Sequence, residues 1–171
     1  MVANRGEIAC RIIKTARNLG IKTLAIYSDS DKNSAHVLLA DEACYVGPSE
    51  ARKSYLNIKK IFEIAAEKNV DAIHPGYGFL SENHVFSKKV NNMGIIFVGP
   101  EWKAIKIMGN KKNAKQAISK AGIPMVPGYS LQENIRSESL LNDKTLEYPL
   151  LIKAASGGGG KGMRIVLKES E

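Results

Sequence analysis

Aromatic residues are scarce in this chain: they make up 6% of its 171 residues. No run interleaves them with basic residues in the manner of a base-stacking surface. Cysteine is scarcer still. Cys10 and Cys44 are the only two, and neither sits in a CxxC or Cys/His pair, so the expectation is buried, reduced thiols in a reducing compartment. Long apolar runs are missing too. None approaches the roughly 18 residues that cross a bilayer, which argues against a membrane-spanning helix. Met1 leads straight into folded-looking sequence without a signal or transit segment, so the expected location is cytoplasmic, or the mitochondrial matrix for a eukaryotic protein whose targeting peptide is absent.

What is present is ordinary for a globular protein: 44% hydrophobic and 25% charged residues. The charge is lopsided, with 25 Lys and Arg against 17 Asp and Glu, a formal +8. That balance favours anionic partners such as nucleotides or nucleic acid, and is equally explained by a lysine-rich solvated surface.

Periodicity supplies the architecture. Met1–Ala3 reads as a very short strand and residues 4–7 as a turn. Ile8, Cys10, Ile12, Ile13, Ala16 and Leu19 have helical spacing that stops at Gly20, and Thr23–Tyr27 is a β-favouring run followed by the polar residues 28–31. The alternation continues with a strand at 43–46, a helix at 57–68, a strand at 71–74 and a loop at 74–79. A helix at 82–91 and a strand at 95–98 complete it. Strands alternating with helices predict an α/β fold, a Rossmann-like parallel sheet covered on both faces, over residues 1–98. Beyond it, 101–108 and 110–121 read as helices broken at Gly109, and residues 128–146 are polar and weakly patterned.

The most distinctive feature lies near the end, in Ser156-Gly157-Gly158-Gly159-Gly160-Lys161-Gly162-Met163. Glycine allows positive φ and close approach, so several N–H groups can converge on phosphate oxygens. The alternative is a bare hairpin tip or linker. A Walker A loop needs Ser or Thr after its Gly-Lys, and here Gly162 follows Lys161. Gly157, Gly159 and Gly162 do spell GxGxxG, but that fingerprint must open a helix. Residues 163–168 instead alternate, with Met163, Ile165 and Leu167 on one face, and Leu150–Ala154 before the loop is also strand-like. The expected element is a β-hairpin whose glycine tip is a phosphate lid that closes when ATP arrives. Lys153, inside the first strand, must reach an anion or snorkel to water.

These residues, with others upstream in the same order, resemble the amino-terminal part of biotin carboxylases, the ATP-grasp enzymes of acyl-CoA carboxylases. The matching stretches are Val2–Arg11 (VANRGEIACR), His36–Ala43 (HVLLADEA), Ser54–Asn57 (SYLN), Ala72–Asn83 (AIHPGYGFLSEN), Phe97–Pro100 (FVGP), Met108–Lys111 (MGNK) and Tyr148–Met163 with its glycine loop. The stretch at 72–83 is very specific, and the resemblance covers essentially the whole chain. The opening NRGEIACR with Tyr27 and Ser28 looks more like propionyl- or methylcrotonyl-type subunits than a free-standing subunit.

The resemblance implies a Rossmann-like N-terminal, pre-ATP-grasp domain at residues 1–98, then linker helices and an incomplete ATP-grasp domain at 99–171. It implies ATP-driven phosphorylation of bicarbonate to carboxyphosphate, then carboxyl transfer to a ureido nitrogen of biotin on a carrier domain. Lys111, Lys153, Gly157, Gly158, Gly159, Gly160, Lys161 and Gly162 would handle ATP, and Tyr77 and Gly78 would lie near the biotin pocket. His74 is expected to be a packed strand-end histidine. The implied cofactors are ATP, Mg2+ and carrier-bound biotin. The implied partners are bicarbonate, the biotin carboxyl carrier domain and a carboxyltransferase subunit, with homo-oligomerisation allowed and neither nucleic acid nor membrane expected.

In the family the metal glutamates, the bicarbonate-binding residues and the adenine pocket lie beyond the glycine loop. No catalytic base or metal ligand is therefore assigned here. The chain alone is expected to be inactive, with an apolar first strand cut short at Met1 and residues 110–171 dependent on further chain for order. Two other readings are weighed: another ATP-grasp ligase, making carbamoyl or carboxyamino products, and a basic nucleic-acid-binding module with steeply salt-dependent binding.

Overall fold

The computed structural model describes residues 1–124, 147–154 and 162–170. The chain divides into two compact units, Met1–Lys106 and Ile107–Glu171.

In the first unit, α1 (Gly6–Asn18), β1 (Leu24–Ser28), α2 (Ala35–Leu39), β2 (Glu42–Gly47), α3 (Ile58–Glu67), β3 (Ala72–Ile73), α4 (His84–Asn92) and β4 (Ile96–Phe97) follow one another, with 3-10 turns at Asp29–Asp31 and Ala51–Lys53. β1 pairs with β2 in parallel, in register Leu24 with Glu42 through Tyr27 with Tyr45 and with an irregularity before Ser28. β3 pairs with β4 in parallel, Ala72 with Ile96 and Ile73 with Phe97. Val2 joins the two pairs through parallel bridges to Ala25 and His74. Its amide donates to the Leu24 carbonyl at 2.8 Å, and the Ala3 amide donates to His74 at 2.9 Å. The spatial order is therefore β2, β1, the Val2 segment, β3, β4. The chain starts in the middle, winds outward to one edge, then crosses back to wind toward the other, which is the doubly wound arrangement.

The pleat explains why both faces are covered. Leu24 and Ile26 point into one buried cluster with Tyr55, Ile61, Ile64, Ile73, Phe86, Val90 and Phe97, contributed largely by α3 and α4. Ala25, between them, joins Val2, Ala9 and Ile13 in a second cluster on the side of α1 and α2. Phe86 anchors the larger cluster, stacked on Phe62 at 5.5 Å and edge-on to Phe97 at 6.1 Å.

Local chemistry sets the helix starts. Asn57 caps α3 by accepting from the Lys60 amide, and Asn83 caps α4 by accepting from Val85 and Phe86. Differences from the sequence expectation are confined to short elements and ends. The expected turn at 4–7 occupies only Asn4 and Arg5, because α1 already begins at Gly6. α2 was not anticipated by periodicity: it is five residues long and its buried residue is His36, a polar type. Cys10 and Cys44 are free and half-buried rather than fully buried.

α5 (Trp102–Met108) spans the division between the units. In the second unit, α6 (Lys111–Lys120) starts at the Asn110 cap, and β5 (Leu150–Ile152) pairs antiparallel with β6 (Arg164–Val166). Residues 155–161, most of the glycine loop, lie outside the described residues. Met163, Ile165 and Leu167, expected on one face, are all exposed. Among the described residues no helix is long and apolar enough to cross a membrane.

Candidate functional site

In a doubly wound sheet the crevice opens at the carboxyl ends of the strands, where winding reverses. Here that point lies between the Val2 segment and β3. The segments leaving those strands, Asn4–Ile8 and Tyr77–Phe79, line an open cavity of about 430 Å3 through Asn4, Arg5, Gly6, Ile8, Tyr77, Gly78 and Phe79.

Two polar devices build its walls. Asn4 is 3% exposed. Its amide nitrogen donates to the carbonyls of Pro75 at 2.7 Å and Tyr77 at 2.8 Å, while its oxygen accepts from the Arg5 amide at 2.9 Å. A buried amide with three partners is well satisfied, and it ties the loop after β3 to the end of the first strand. Arg5 forms a two-pronged pair with Asp31: Nε donates to Oδ2 at 2.7 Å and Nη2 to Oδ1 at 2.6 Å. Asp31 also accepts from the Tyr55 hydroxyl at 2.7 Å and the Ser28 hydroxyl at 3.0 Å. The Tyr55 oxygen accepts in turn from the Ser28 amide at 3.1 Å. The Tyr55 ring stacks on Phe79 with centroids 5.1 Å apart and lies under the Arg5 guanidinium at 5.9 Å.

The electrostatics follow from this wiring. Burial opposes ionisation of Asp31, but the hydrogen bonds from Arg5, Tyr55 and Ser28 outweigh it and hold the carboxyl well below the usual carboxylate range. Burial, then the hydrogen bond to Asp31, pushes Tyr55 up to about 12. The Asp31 hydrogen bond raises Arg5. His36, fully buried, places Nε2 3.3 Å from the Ile26 carbonyl, and its Nδ1 has no hydrogen-bond partner among the described residues. Burial lowers its pKa. His74, bridged to Val2, accepts at Nδ1 from the Gly76 amide at 3.0 Å and is lowered by burial; it packs at the strand end as the sequence suggested.

Of the residues singled out from sequence, Tyr77 and Gly78 stand together at the cavity. Tyr77 is 60% exposed and its hydroxyl donates to Glu7 at 3.1 Å. Gly78 has φ +64°. The residues that the resemblance assigns to ATP fall in the second unit. Lys111 opens α6, exposed Lys153 directly follows β5 rather than lying inside the strand as expected, because pairing with β6 ends at Ile152, and Gly162, with φ +74°, lies just ahead of β6. Gly157, Gly158, Gly159, Gly160 and Lys161 lie outside the described residues. Asn4, Arg5, Asp31 and Tyr55 were not assigned a role from sequence. The available signal was the position of Asn4-Arg5 and of the polar 28–31 run, each at the carboxyl end of a strand.

A doubly wound parallel sheet with a cavity at its reversal point defines an α/β protein of the class whose ligands bind at that point. The model of the biotin carboxylase N-terminal domain matches residues 1–105, and that of the carbamoyl-phosphate synthase L chain ATP-binding domain matches 110–171. The chain belongs to the biotin carboxylase family. It is 50% identical over its whole length to the mitochondrial methylcrotonoyl-CoA carboxylase subunit alpha of Dictyostelium discoideum, covering 24% of that protein. It is 48% identical over its whole length to the propionyl-CoA carboxylase alpha chain of Ruegeria pomeroyi, covering 25% of it. Among solved structures, the biotin carboxylase of Campylobacter jejuni in a beta-gamma-ATP complex superposes with TM-score 0.92 at 40% identity, over 99% of this chain and 38% of that one. The biotin carboxylase domain of Hydrogenobacter thermophilus 2-oxoglutarate carboxylase, solved with MgADP, ADP and bicarbonate, gives 0.90 at 45% identity over 99% and 37%. The chain thus spans about a quarter of the length of the curated relatives it matches.

Proposed function

We propose that this chain is the amino-terminal part of an ATP-dependent biotin carboxylase of an acyl-CoA carboxylase. In the reaction, bicarbonate oxygen attacks the γ-phosphorus of ATP, giving carboxyphosphate and ADP. The carboxyl group then passes to a ureido nitrogen of carrier-bound biotin as phosphate departs and takes up the proton that nitrogen loses. The observation that carries the reading is the cavity at the sheet's reversal point, bordered by Tyr77 and Gly78, in a chain of this family.

Residues 1–98 form the N-terminal domain in this reading, and 99–171 the linker helices and the beginning of an ATP-grasp domain with a glycine-tipped hairpin. The antiparallel β5–β6 pair supports that hairpin. Lys111, Lys153 and Lys161 offer ammonium groups to phosphate oxygens, and Gly157–Gly160 with Gly162 offer backbone N–H groups. That donor set suits a triphosphate, and exposed Lys153 beside the loop supports it. Bound Mg2+ would neutralise phosphate charge during transfer. Among the described residues no group of three or more His, Cys, Asp or Glu is gathered to hold a metal, and no metal ligand is assigned in this chain. The partners are a biotin carboxyl carrier domain and a carboxyltransferase subunit, and the location is the cytoplasm, or the mitochondrial matrix in a eukaryote.

The test is calorimetric ATP titration and ATP-cleavage assay of a complete subunit containing this chain. Magnesium-linked ATP binding and cleavage that requires both bicarbonate and biotin are expected. Cleavage indifferent to biotin would overturn the proposal. A second reading is favoured by the match of residues 110–171 to the carbamoyl-phosphate synthase ATP-binding domain: an ATP-grasp ligase that makes a carbamoyl or carboxyamino product. Product analysis separates the two, since only the first yields carboxybiotin. A basic nucleic-acid-binding module is the weakest alternative and predicts steeply salt-dependent DNA or RNA binding.

A further inference from the structure

Tyr77 has an unusual problem of placement. It is flanked by Gly76 at φ +66° and Gly78 at φ +64°, and followed by Phe79 at φ +38°. A tyrosine between two glycines has little intrinsic backbone preference, and most of its ring is in solvent. Fixing such a side chain costs conformational entropy that neighbouring contacts must offset. Those contacts come from one short stretch of sequence some seventy residues earlier.

Asn4 holds the backbone, its amide bridging the carbonyls of Pro75 and Tyr77 from a position that is itself almost wholly buried. The fit is close. A Cβ on Gly76 would stand 2.8 Å from the Asn4 amide nitrogen, so that position excludes any side chain while the clamp is in place. Glu7, in the first turn of α1, holds the other end of the residue by accepting from its hydroxyl at 3.1 Å. Arg11, one turn on, lies 3.9 Å from the other Glu7 oxygen. The Arg5–Asp31 pair lies between the two clamps in sequence and anchors the stretch to the end of β1.

We propose that Asn4 and Glu7 are positioning residues that hold Tyr77, by its carbonyl and its hydroxyl respectively, at the mouth of the cavity where biotin is carboxylated. The inference rests on the biotin carboxylase reading for the identity of the ligand. The two clamps do not depend on that identity. Asn4 sets where the loop stands, and Glu7 sets where the ring points. Losing either one leaves the cavity walled but its tyrosine unplaced, which weakens biotin capture and leaves ATP handling intact.

The experiment has two arms. In the first, the 171-residue chain is labelled with 13Cζ-tyrosine, Tyr77 is assigned by its loss in Tyr77→Phe, and its ionisation is followed by NMR. The Glu7 hydrogen bond raises the Tyr77 pKa. Glu7→Gln, at an exposed site that leaves the fold intact, should therefore lower it. Asn4→Asp, which keeps the acceptor for Arg5 but removes the donor, should shift and broaden the Tyr77 signal. In the second arm, biotin-dependent ATP cleavage is measured in a complete subunit carrying each substitution. The KM for biotin should rise about tenfold with the KM for ATP unchanged, and Tyr77→Phe combined with Glu7→Gln should be no worse than either alone.

An unmoved Tyr77 titration in Glu7→Gln, or equal losses for ATP and biotin, would overturn the positioning role. Should Asn4→Asp fail to fold, Glu7→Gln alone decides the matter. If the unsubstituted subunit ignores biotin, the functional reading falls, and the NMR arm still decides whether the clamps hold Tyr77.

Discussion

The Arg5 guanidinium grips the Asp31 carboxylate with both prongs, at 2.6 and 2.7 Å, from a side chain that is half in solvent to one that is 4% exposed. The asymmetry matters. The buried partner is the one with other donors, from Tyr55, Ser28 and Ser34. Removing the arginine leaves a carboxylate that is still solvated by hydroxyls. Removing the aspartate leaves the buried Tyr55 hydroxyl without its acceptor and the Ser28 hydroxyl with Ser30 alone.

Arg5→Met should therefore destabilise the first unit by about 1–2 kcal/mol, and Asp31→Ala by about 3 kcal/mol. Urea denaturation followed by far-UV circular dichroism checks the order. Equal costs would mean that the hydroxyl network contributes nothing.

Acid should lower the stability of the fold in two steps whose signs agree. Asp31 has a folded pKa below its ordinary 3.8, so the unfolded chain takes up the proton first. Its contribution is complete above that value and is lost as pH falls below it. His36 is a base with a folded pKa below its ordinary 6.5, so here too the unfolded chain binds the extra proton, and stability declines as pH falls through 6.5. Melting temperature measured from pH 8 to pH 3 should fall on both steps. His36→Gln should flatten the upper step and Asp31→Asn the lower one.

Gly76 and Gly78 share a positive φ but not a neighbour. A Cβ at Gly78 meets nothing within 4 Å, whereas one at Gly76 meets Asn4. Gly78→Ala should cost about 1 kcal/mol, the left-handed backbone penalty alone. Gly76→Ala should cost about 2–3 kcal/mol because it also displaces a buried amide from its carbonyl partners. Thermal melts of the two variants, run side by side, test the difference.

Lys153→Gln should weaken ATP binding by about tenfold in a complete subunit, the scale expected for losing one charge-assisted contact to phosphate. Isothermal titration calorimetry with Mg2+ present is the measurement. An unchanged affinity would assign Lys153 to solvent.

Much of the architecture was legible because it rests on local pattern. Alternating apolar runs and helical spacing placed β1, β2, α1, α3 and α4 within a few residues, and Asn57 and Asn83 stand where a helix cap is needed. α2 escaped because five residues make little more than one turn and its buried side chain is a histidine. The loop bearing Tyr77 and Gly78 was found from its residue order, which is a property of the family rather than of periodicity. Only its place in the polar run at the end of β1 marks Asp31 locally: an aspartate there is usually solvated, and this one is buried among partners that include Arg5 and Tyr55, each more than twenty residues away.

The sequence alone thus determined the α/β alternation and the family, since those depend on near neighbours and motif order. Only the tertiary structure decided that Val2 lies in the middle of the sheet, between β1 and β3. That single placement brings Asn4, Glu7 and Tyr77 together across seventy residues of chain. Such contacts are set by strand order, a global consequence of burying both faces of the sheet, which no local window of sequence encodes.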